Sequence, residues 1–543
     1  MMDTNTLNAI RIRCMICFGI ALIIFAMGAV WLLKDYNGNR NTNTSDKRLE
    51  SASGTSTELA DEMIFYPDNI QLNQKLQDLY FYKANSDVVK LSDFYGKNVI
   101  IMFWASWCEY CRDEFDYIKD YADLIKKHDD VEFILLNKLD GIKETREQAM
   151  AYLKENNIPF TAYFDEKLKI YNNLGIKIVP TFLGINRQGV LKICKPGNIG
   201  GSDGLSAFVD YVKYGGMYGT EQFITNQLTN DNGGVHTNYL ESNNSSPSGY
   251  DVLSESQGIM MEYGVLKKDK ALFERYLSYV TEKMLGSNSL ASWIVTEEGK
   301  SNINSLVDDF RIYKALYQAN KLWGGYDRLV KQWEKGILKY NTKRNNIVDS
   351  YDFKYKKKAQ RLTLCFADFE ALQLLQQSDK RYEGIYENAL QLVKAGYISN
   401  EFPLYYSWYD YEKKQYVPDN LNTAEAMYTL LNLAKAGELK KETIDWIKTT
   451  MNNGGIKARY TVEGKVVDGY NYESAAVYAI ISMIAGQIHD DRLMSDALVR
   501  MERLRVNNKA SLLNGSFSGN DEENIYSFDQ CMPLLAYAYI EYQ

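Results

Sequence analysis

Residues 98–104, NVIIMFW, run without a charge into Ala105-Ser106-Trp107-Cys108-Glu109-Tyr110-Cys111. An apolar, β-branched run this short is the pattern of a strand buried on both faces. The amphipathic stretch from Arg112 to Lys127 reads as a helix. Strand, CxxC and helix in direct succession place Cys108 at a helix N terminus, where the macrodipole and free backbone N–H groups stabilise a thiolate. Cys111, one turn inside, is positioned to resolve a mixed disulfide. The competing reading of a CxxC, half of a zinc site, needs a second CxxC or a His pair nearby. The three histidines, His128, His236 and His489, are far apart in sequence, and no Cys/His cluster has ligand spacing. No catalytic metal and no cofactor is therefore expected.

Beyond the cysteines, Val131–Asn137 reads as a second strand, Glu144–Asn156 as a helix, and Ile178-Val179-Pro180-Thr181-Phe182 as the start of a third strand. A proline in a central strand conflicts with its ladder, because it has no N–H to donate. A cis Val179–Pro180 bond beside the cysteines resolves the conflict. With WASWCxxC, the VPT turn and Asn186-Arg187-Gln188-Gly189 before a last hairpin, residues 64–216 resemble the thioredoxin fold, and within it the membrane-tethered TlpA and ResA type. The resemblance implies an α/β domain acting as an extracytoplasmic thiol–disulfide oxidoreductase on a partner protein. It makes Cys108 and Cys111 the catalytic pair, with Glu114 and Pro180 tuning it. It leaves the redox direction open, because Glu109-Tyr110 stands where the family commonly has Glu-Pro.

The N-terminal segment bears on compartment. Cys14–Leu33, CMICFGIALIIFAMGAVWLL, is uncharged and has the length, about 20 residues, that crosses a bilayer as a helix. It is longer than a usual signal-peptide core and lacks a small-x-small cleavage site, which favours an uncleaved signal anchor. The expected order is a cytoplasmic tail at 1–13, a transmembrane anchor at 14–33 and a polar tether at 34–63. Both folded domains would then stand outside a cell membrane crossed once.

At 543 residues the chain is too long for one core, so a second folded domain is expected. A net charge of −8 offers no basic stripe to displace counterions from phosphates, which argues against nucleic acid as a partner. The 42 Tyr, 21 Phe and 8 Trp supply flat rings that serve equally to stack on sugars or to fill helical cores. From Thr220 onward about twelve amphipathic stretches alternate with short polar turns. Several pairs share a turn that introduces the second helix: Lys268-Asp269-Lys270, Ser378-Asp379-Lys380 and His489-Asp490-Asp491. Six hairpins close into an (α/α)6 barrel or stack as an open solenoid, and periodicity does not choose between them.

Ser254-Glu255-Ser256-Gln257-Gly258 opens one of these helices, and Ser254 with Gln257 reads as a capping box. As a first-turn acid, Glu255 would have its pKa lowered by the helix dipole, so an acid role needs burial or a neighbouring carboxylate. Asn304-Ser305-Leu306-Val307-Asp308-Asp309-Phe310-Arg311-Ile312, followed by Ala315, Leu316, Ala319 and Trp323, supplies paired acids at a second helix start. Together these segments resemble the inverting glycoside hydrolases of family 8, (α/α)6 barrels acting on β-1,4-linked glycans. The resemblance implies an all-α domain over residues 220–543 with a polysaccharide substrate. Glu255 falls on the proton donor. The Asp-x-Asp run aligns its second member on Asp309 and its first on Val307, so the sugar-binding acid is Asp308 or Asp309. The family's base falls on Glu425, within Ala424-Glu425-Ala426-Met427-Tyr428-Thr429, with Asp410 and Asp419 as rivals in the preceding aromatic loop. That loop, holding Phe402, Tyr405, Tyr406, Trp408, Tyr409, Tyr411 and Tyr416, either lines a glycan cleft or packs on an edge, and Trp408 and Tyr409 are the expected substrate contacts.

The sequence thus leads to a multidomain protein: an N-terminal transmembrane helix, a thioredoxin-like α/β domain, then an all-α (α/α)6 barrel. Two alternatives accompany the glycosidase reading. In one the barrel binds glycan without cleaving it, and in the other it docks a client for the thioredoxin-like half. Cys194, Cys365 and Cys531 read as buried small hydrophobes rather than partners of the redox pair.

Overall fold

The computed structural model describes residues 66–542, apart from residues 73, 215–216, 242–246, 248, 287–289, 507–510 and 519–524. The tail 1–13, the apolar segment 14–33 and the tether 34–63 lie outside the described residues. Among the described residues no helix is long and apolar enough to cross a membrane.

The first domain is built on a seven-stranded sheet in the order β2-β1-β5-β4-β3-β6-β7. Its strands are β1 (Tyr80–Tyr82), β2 (Val88–Lys90), β3 (Asn98–Trp104), β4 (Val131–Asn137), β5 (Ala162–Phe164), β6 (Thr181–Ile185) and β7 (Leu191–Pro196). β3 pairs parallel with β4 and antiparallel with β6, so it is central, and every one of its residues is buried. Strand periodicity splits it between two cores: Ile100, Met102 and Trp104 face one layer, Val99, Ile101 and Phe103 the other. The helices are α1 (Glu109–Asp116), α2 (Ile118–Lys126), α3 (Arg146–Glu155), α4 (Lys169–Asn173) and α5 (Gly201–Tyr214). The single helix expected from Arg112 to Lys127 is two, starting earlier and divided at Tyr117, whose φ of −93° and ψ of 4° leave the helical range. Val179–Pro180 is cis, and the strand begins only at Thr181, so Pro180 stands before the ladder. Gly184 in β6 lets α5 lie close on the sheet, because a Cβ there would stand 2.3 Å from Val212 and 2.6 Å from Ile193.

The second domain carries twelve helices among the described residues: α6 (Met217–Phe223), α7 (Ser254–Leu266), α8 (Lys270–Tyr279), α9 (Leu306–Trp323), α10 (Asp327–Tyr340), α11 (Phe369–Ser378), α12 (Ile385–Ala395), α13 (Thr423–Lys435), α14 (Lys441–Asn452), α15 (Ala475–Gln487), α16 (Asp491–Glu502) and α17 (Ser527–Tyr542). α7, α9, α11, α13, α15 and α17 each pack on the next, and α17 returns to α7, which closes a ring. α8, α10, α12, α16 and α6 back α7, α9, α11, α15 and α17 from outside. Closure excludes the open solenoid. Sequence explains the two layers: α15, AAVYAIISMIAGQ, is apolar all round and buried from Ala475 to Ala485, whereas α10 buries only Val330, Trp333, Gly336 and Ile337, one stripe. Asp269 and Asp490 cap α8 and α16 through the N–H groups of Leu272 and Leu493, as the turn motifs predict. The amphipathic stretch near residues 360–376 reads as one helix in sequence, but only its later part is helical: Arg361–Thr363 is a short strand paired with Trp408–Asp410, and α11 starts after the Asp368 cap.

The two domains share an interface. α5 and β7 pack on α16, Ser495 Oγ donates to the Cys194 carbonyl at 2.5 Å, and Lys195 pairs with Asp496 at 2.9 Å. Lys192, almost wholly buried, pairs with Glu541.

Candidate active sites

Cys108 is the N-cap of α1, in extended geometry, and the Cys111 N–H lies 3.1 Å from its Sγ. The two cysteines form a disulfide with Cα atoms 5.2 Å apart. Cys108 is 4% exposed and Cys111 fully buried, while the flanking Trp107 and Tyr110 are 42% and 66% exposed. Cys108 is thus the more accessible of the pair, beside a rim of exposed aromatic side chains. Cys108 Sγ lies 3.3 Å from the carbonyl of Val179, the residue before Pro180. Glu114 is buried one turn beyond Cys111 and accepts from the Ile199 amide at 2.6 Å and from the Tyr121 hydroxyl. Burial pushes its carboxyl above the ordinary value, against the pull of those donors. Glu144, which the sequence reading did not single out, holds the loop before the cysteines: it accepts from Ser106 N and Oγ at 2.9 and 2.7 Å and from Asn137 at 2.7 Å.

In the ring domain the acids stand in the first turns of the inner helices. Ser254 is the first residue of α7 and makes no capping box: its Oγ donates to Asp308 Oδ2 on α9 at 2.8 Å. Arg311, one turn after Asp308, donates to Asp308 Oδ1 at 2.9 Å and lies 3.9 Å from Glu255 Oε2. Its guanidinium stacks 4.7 Å over the Tyr428 ring of α13. The structure therefore brings Glu255 and Asp308 together on one buried cation. Asp309 turns away, toward the outer layer, where Trp333 Nε1, Asn304 Nδ2 and the Ala291 amide donate to it at 3.0, 2.7 and 3.3 Å.

Burial pushes the Glu255 carboxyl up to about 8; Arg311 opposes this and the negative fields of Asp308, Glu425 and Asp529 add to it. Both conditions that an acid role demands of a first-turn Glu, burial and a neighbouring carboxylate, are met. Glu425, in the first turn of α13, is partly exposed, yet desolvation of its carboxyl pushes it up to about 7 against Arg459 and Arg361. Asp349 anchors Arg361 at 2.9 Å, and Arg361 lies 5.3 Å beneath the Trp408 ring. Trp408 and Tyr409 sit on the strand paired with Arg361–Thr363, both partly exposed. The rivals of Glu425 are occupied elsewhere. Asp410 closes a turn through the amides of Glu412 and Lys413, and exposed Asp419 accepts from Trp408 Nε1 at 2.9 Å. The rest of the aromatic loop divides: Phe402 and Tyr405 are core, while Tyr411 and Tyr416 donate to the Ile347 and Leu392 carbonyls.

Arg311, Tyr428, Asp349, Arg361 and Asp529 received no role from the sequence. The i,i+3 spacing of Asp308 and Arg311 is the one signal that could have found a member of this group.

Residues 71–199 match the Redoxin family. Over 322 residues the chain is 28% identical to "Putative lipoprotein YdaJ" of Bacillus subtilis (strain 168), covering 58% of this chain and 85% of that protein. Over 111 residues it is 28% identical to thiol-disulfide oxidoreductase ResA of the same organism, covering 20% of this chain and 59% of ResA. The solved structure of an alpha-amylase from Clostridium perfringens superimposes with a TM-score of 0.55 at 32% identity, covering 60% of this chain and 97% of that one. The chain thus joins a redoxin-family, thioredoxin-like domain to a closed ring of helices that is similar in sequence and fold to the Clostridium perfringens enzyme.

Proposed function

We propose that the chain is a membrane-anchored extracytoplasmic protein that joins a thiol–disulfide oxidoreductase to an inverting endo-glycosidase acting on a β-1,4-linked polysaccharide. The observation that carries the glycosidase half is the convergence of Glu255, Asp308 and Arg311, with Glu425 near enough to raise Glu255 by its charge. Protonated Glu255 donates its proton to the glycosidic oxygen as the bond to the anomeric carbon breaks. Ionised Glu425 removes a proton from a water that attacks the same carbon from the opposite face. Such a pair works at a carboxyl separation of about 6.5 to 9.5 Å, which seats the water. Asp308 holds the sugar ring, Asp309 braces the helix behind it, and Trp408 and Tyr409 offer stacking faces. Proton NMR of the first product formed tests the mechanism: the anomer opposite to that of the cleaved bond is expected, and retention would exclude it.

The name of the Clostridium perfringens relative favours a second reading of the substrate, an α-linked glucan. Starch therefore belongs beside β-glucan, xylan and chitosan in any screen. Undiminished glycan binding with no reducing ends released from any of these would favour a binding barrel instead.

In the redox half, the Cys108 thiolate attacks a client disulfide and releases one client thiolate. Cys111 then attacks Cys108 Sγ, freeing the second client sulfur and leaving the Cys108–Cys111 disulfide. Two electrons pass to the client, and an external dithiol restores the pair. Cys111→Ala is expected to trap a mixed disulfide through Cys108, and Cys108→Ala to trap none. The apolar segment Cys14–Leu33, together with likeness to ResA and to a protein named as a lipoprotein, supports the extracytoplasmic placement.

A further inference from the structure

The redox pair lies in one domain, but its surroundings are completed by the other. Ile199 donates its N–H to Glu114 Oε1 at 2.6 Å, and its carbonyl accepts from Arg503 Nη2 at 3.3 Å. Arg503 stands at the C-terminal end of α16, in the helical domain. Its guanidinium lies so close over the next residue that a Cβ on Gly200, where φ is +91°, would stand 2.4 Å from Nη2. Two residues from two domains therefore hold one residue, at its two backbone polar groups. Glu114 and Cys111 are a turn apart on α1 and both fully buried, so a shift of the Ile199 N–H moves a buried carboxyl group one helical turn from the cysteine pair.

The location of Arg503 is not one that a cation finds favourable for its own sake. It stands over the first turn of α5, the positive end of that helix. Desolvation of its guanidinium by the packed helix ends and repulsion by Arg500 lower its pKa, against the attraction of Glu473 and Asp203, although the residue as a whole is exposed. The Ile199 carbonyl is the partner that it reaches across the interface.

We propose that Arg503 is a positioning residue of the redox centre, through which the helical domain fixes Glu114 against Cys111 and so sets how readily the pair passes between dithiol and disulfide. The proposal rests on the reading of Cys108 and Cys111 as a redox pair. It makes the barrel part of the redox machinery.

The test uses the full chain with Arg503→Met and Arg503→Gln, each checked for native near-ultraviolet circular dichroism, beside Glu114→Gln. Each protein is equilibrated in glutathione buffers, and the oxidised fraction of the pair is read by alkylation and mass spectrometry. A folded Arg503 variant is expected to change the equilibrium constant by roughly two- to tenfold, the worth of one lost hydrogen bond, in the same direction as Glu114→Gln. A folded Arg503 variant that superimposes on wild type overturns the proposal, and so does loss of fold in both, which would make Arg503 a structural residue. If the wild-type pair does not cycle at all, the redox reading itself falls, an outcome visible before any variant is compared.

Discussion

Arg311 Nη1 stands 3.9 Å from Glu255 Oε2, and both side chains are buried. The same nitrogen is 2.9 Å from Asp308, so one cation serves two carboxyl groups, with Asp308 the nearer. Asp308 thereby takes the larger share of the positive charge, which leaves Glu255 free to hold a proton under the pressure of burial. Replacing Arg311 by Met leaves Asp308 buried without its partner and is expected to cost about 3 to 5 kcal/mol of stability, read from chemical denaturation.

The two carboxyl groups set a pH window for hydrolysis. Glu425 must be ionised and Glu255 protonated, and their folded-state values are pushed up to about 7 and about 8. The rate kcat/KM is expected to fall below about pH 7 as Glu425 takes up a proton and above about pH 8 as Glu255 loses one. A profile centred near pH 5 would contradict the assignment.

Stability should carry the opposite sign of pH dependence from that of a salt-bridged acid. Glu255 titrates near 4.5 when unfolded and is pushed up to about 8 when folded, so between those values the unfolded chain loses a proton that the folded chain keeps. Its contribution is therefore fully present below pH 4.5 and lost as pH rises toward 8. The melting temperature of Glu255→Gln relative to wild type should climb between pH 5 and pH 8. A constant difference would show that Glu255 is ionised in the fold.

Trp408 lies on Arg361 and hydrogen bonds to Asp419, which fixes its ring on a partly exposed strand. Trp408→Ala should raise KM roughly tenfold with kcat changed little, because a stacking contact binds substrate and transition state alike. A loss confined to kcat would place the ring at the reacting bond instead.

At the domain interface, Lys192 is buried while its partner Glu541 is partly exposed. Glu541→Ala strands a buried charge and should destabilise by about 3 kcal/mol or more, whereas Lys192→Met leaves a carboxylate that water reaches and should cost less. Denaturant midpoints of the two variants decide the order.

Much of this arrangement was legible because local chemistry and tertiary placement agree. The apolar run before Cys108 could only be a central strand, the Asp269 and Asp490 turns announced the outer helices, and Glu255 stands in the first turn of its helix as read. What escaped was set by contacts distant in sequence. Ser254 has the spacing of a cap, yet Asp308 on the neighbouring inner helix takes its hydroxyl. Asp308 and Asp309 are neighbours in the chain, and the 100° turn between successive helix positions sends one to Arg311 and the other to Trp333. Residues 361–363 read as helix in isolation and pair as strand because Trp408–Asp410 lies beside them. Arg503 carries no local signal of its link to Glu114.

Glycan hydrolysis by the purified chain, wild type beside Glu255→Gln, tests the central claim most directly, across β-glucan, xylan, chitosan and starch. Wild type is expected to release reducing ends from at least one of them. Glu255→Gln, with its circular dichroism unchanged, should lose at least about 100-fold of that rate, the lower range for a general acid. Equal rates in the two proteins would contradict the account.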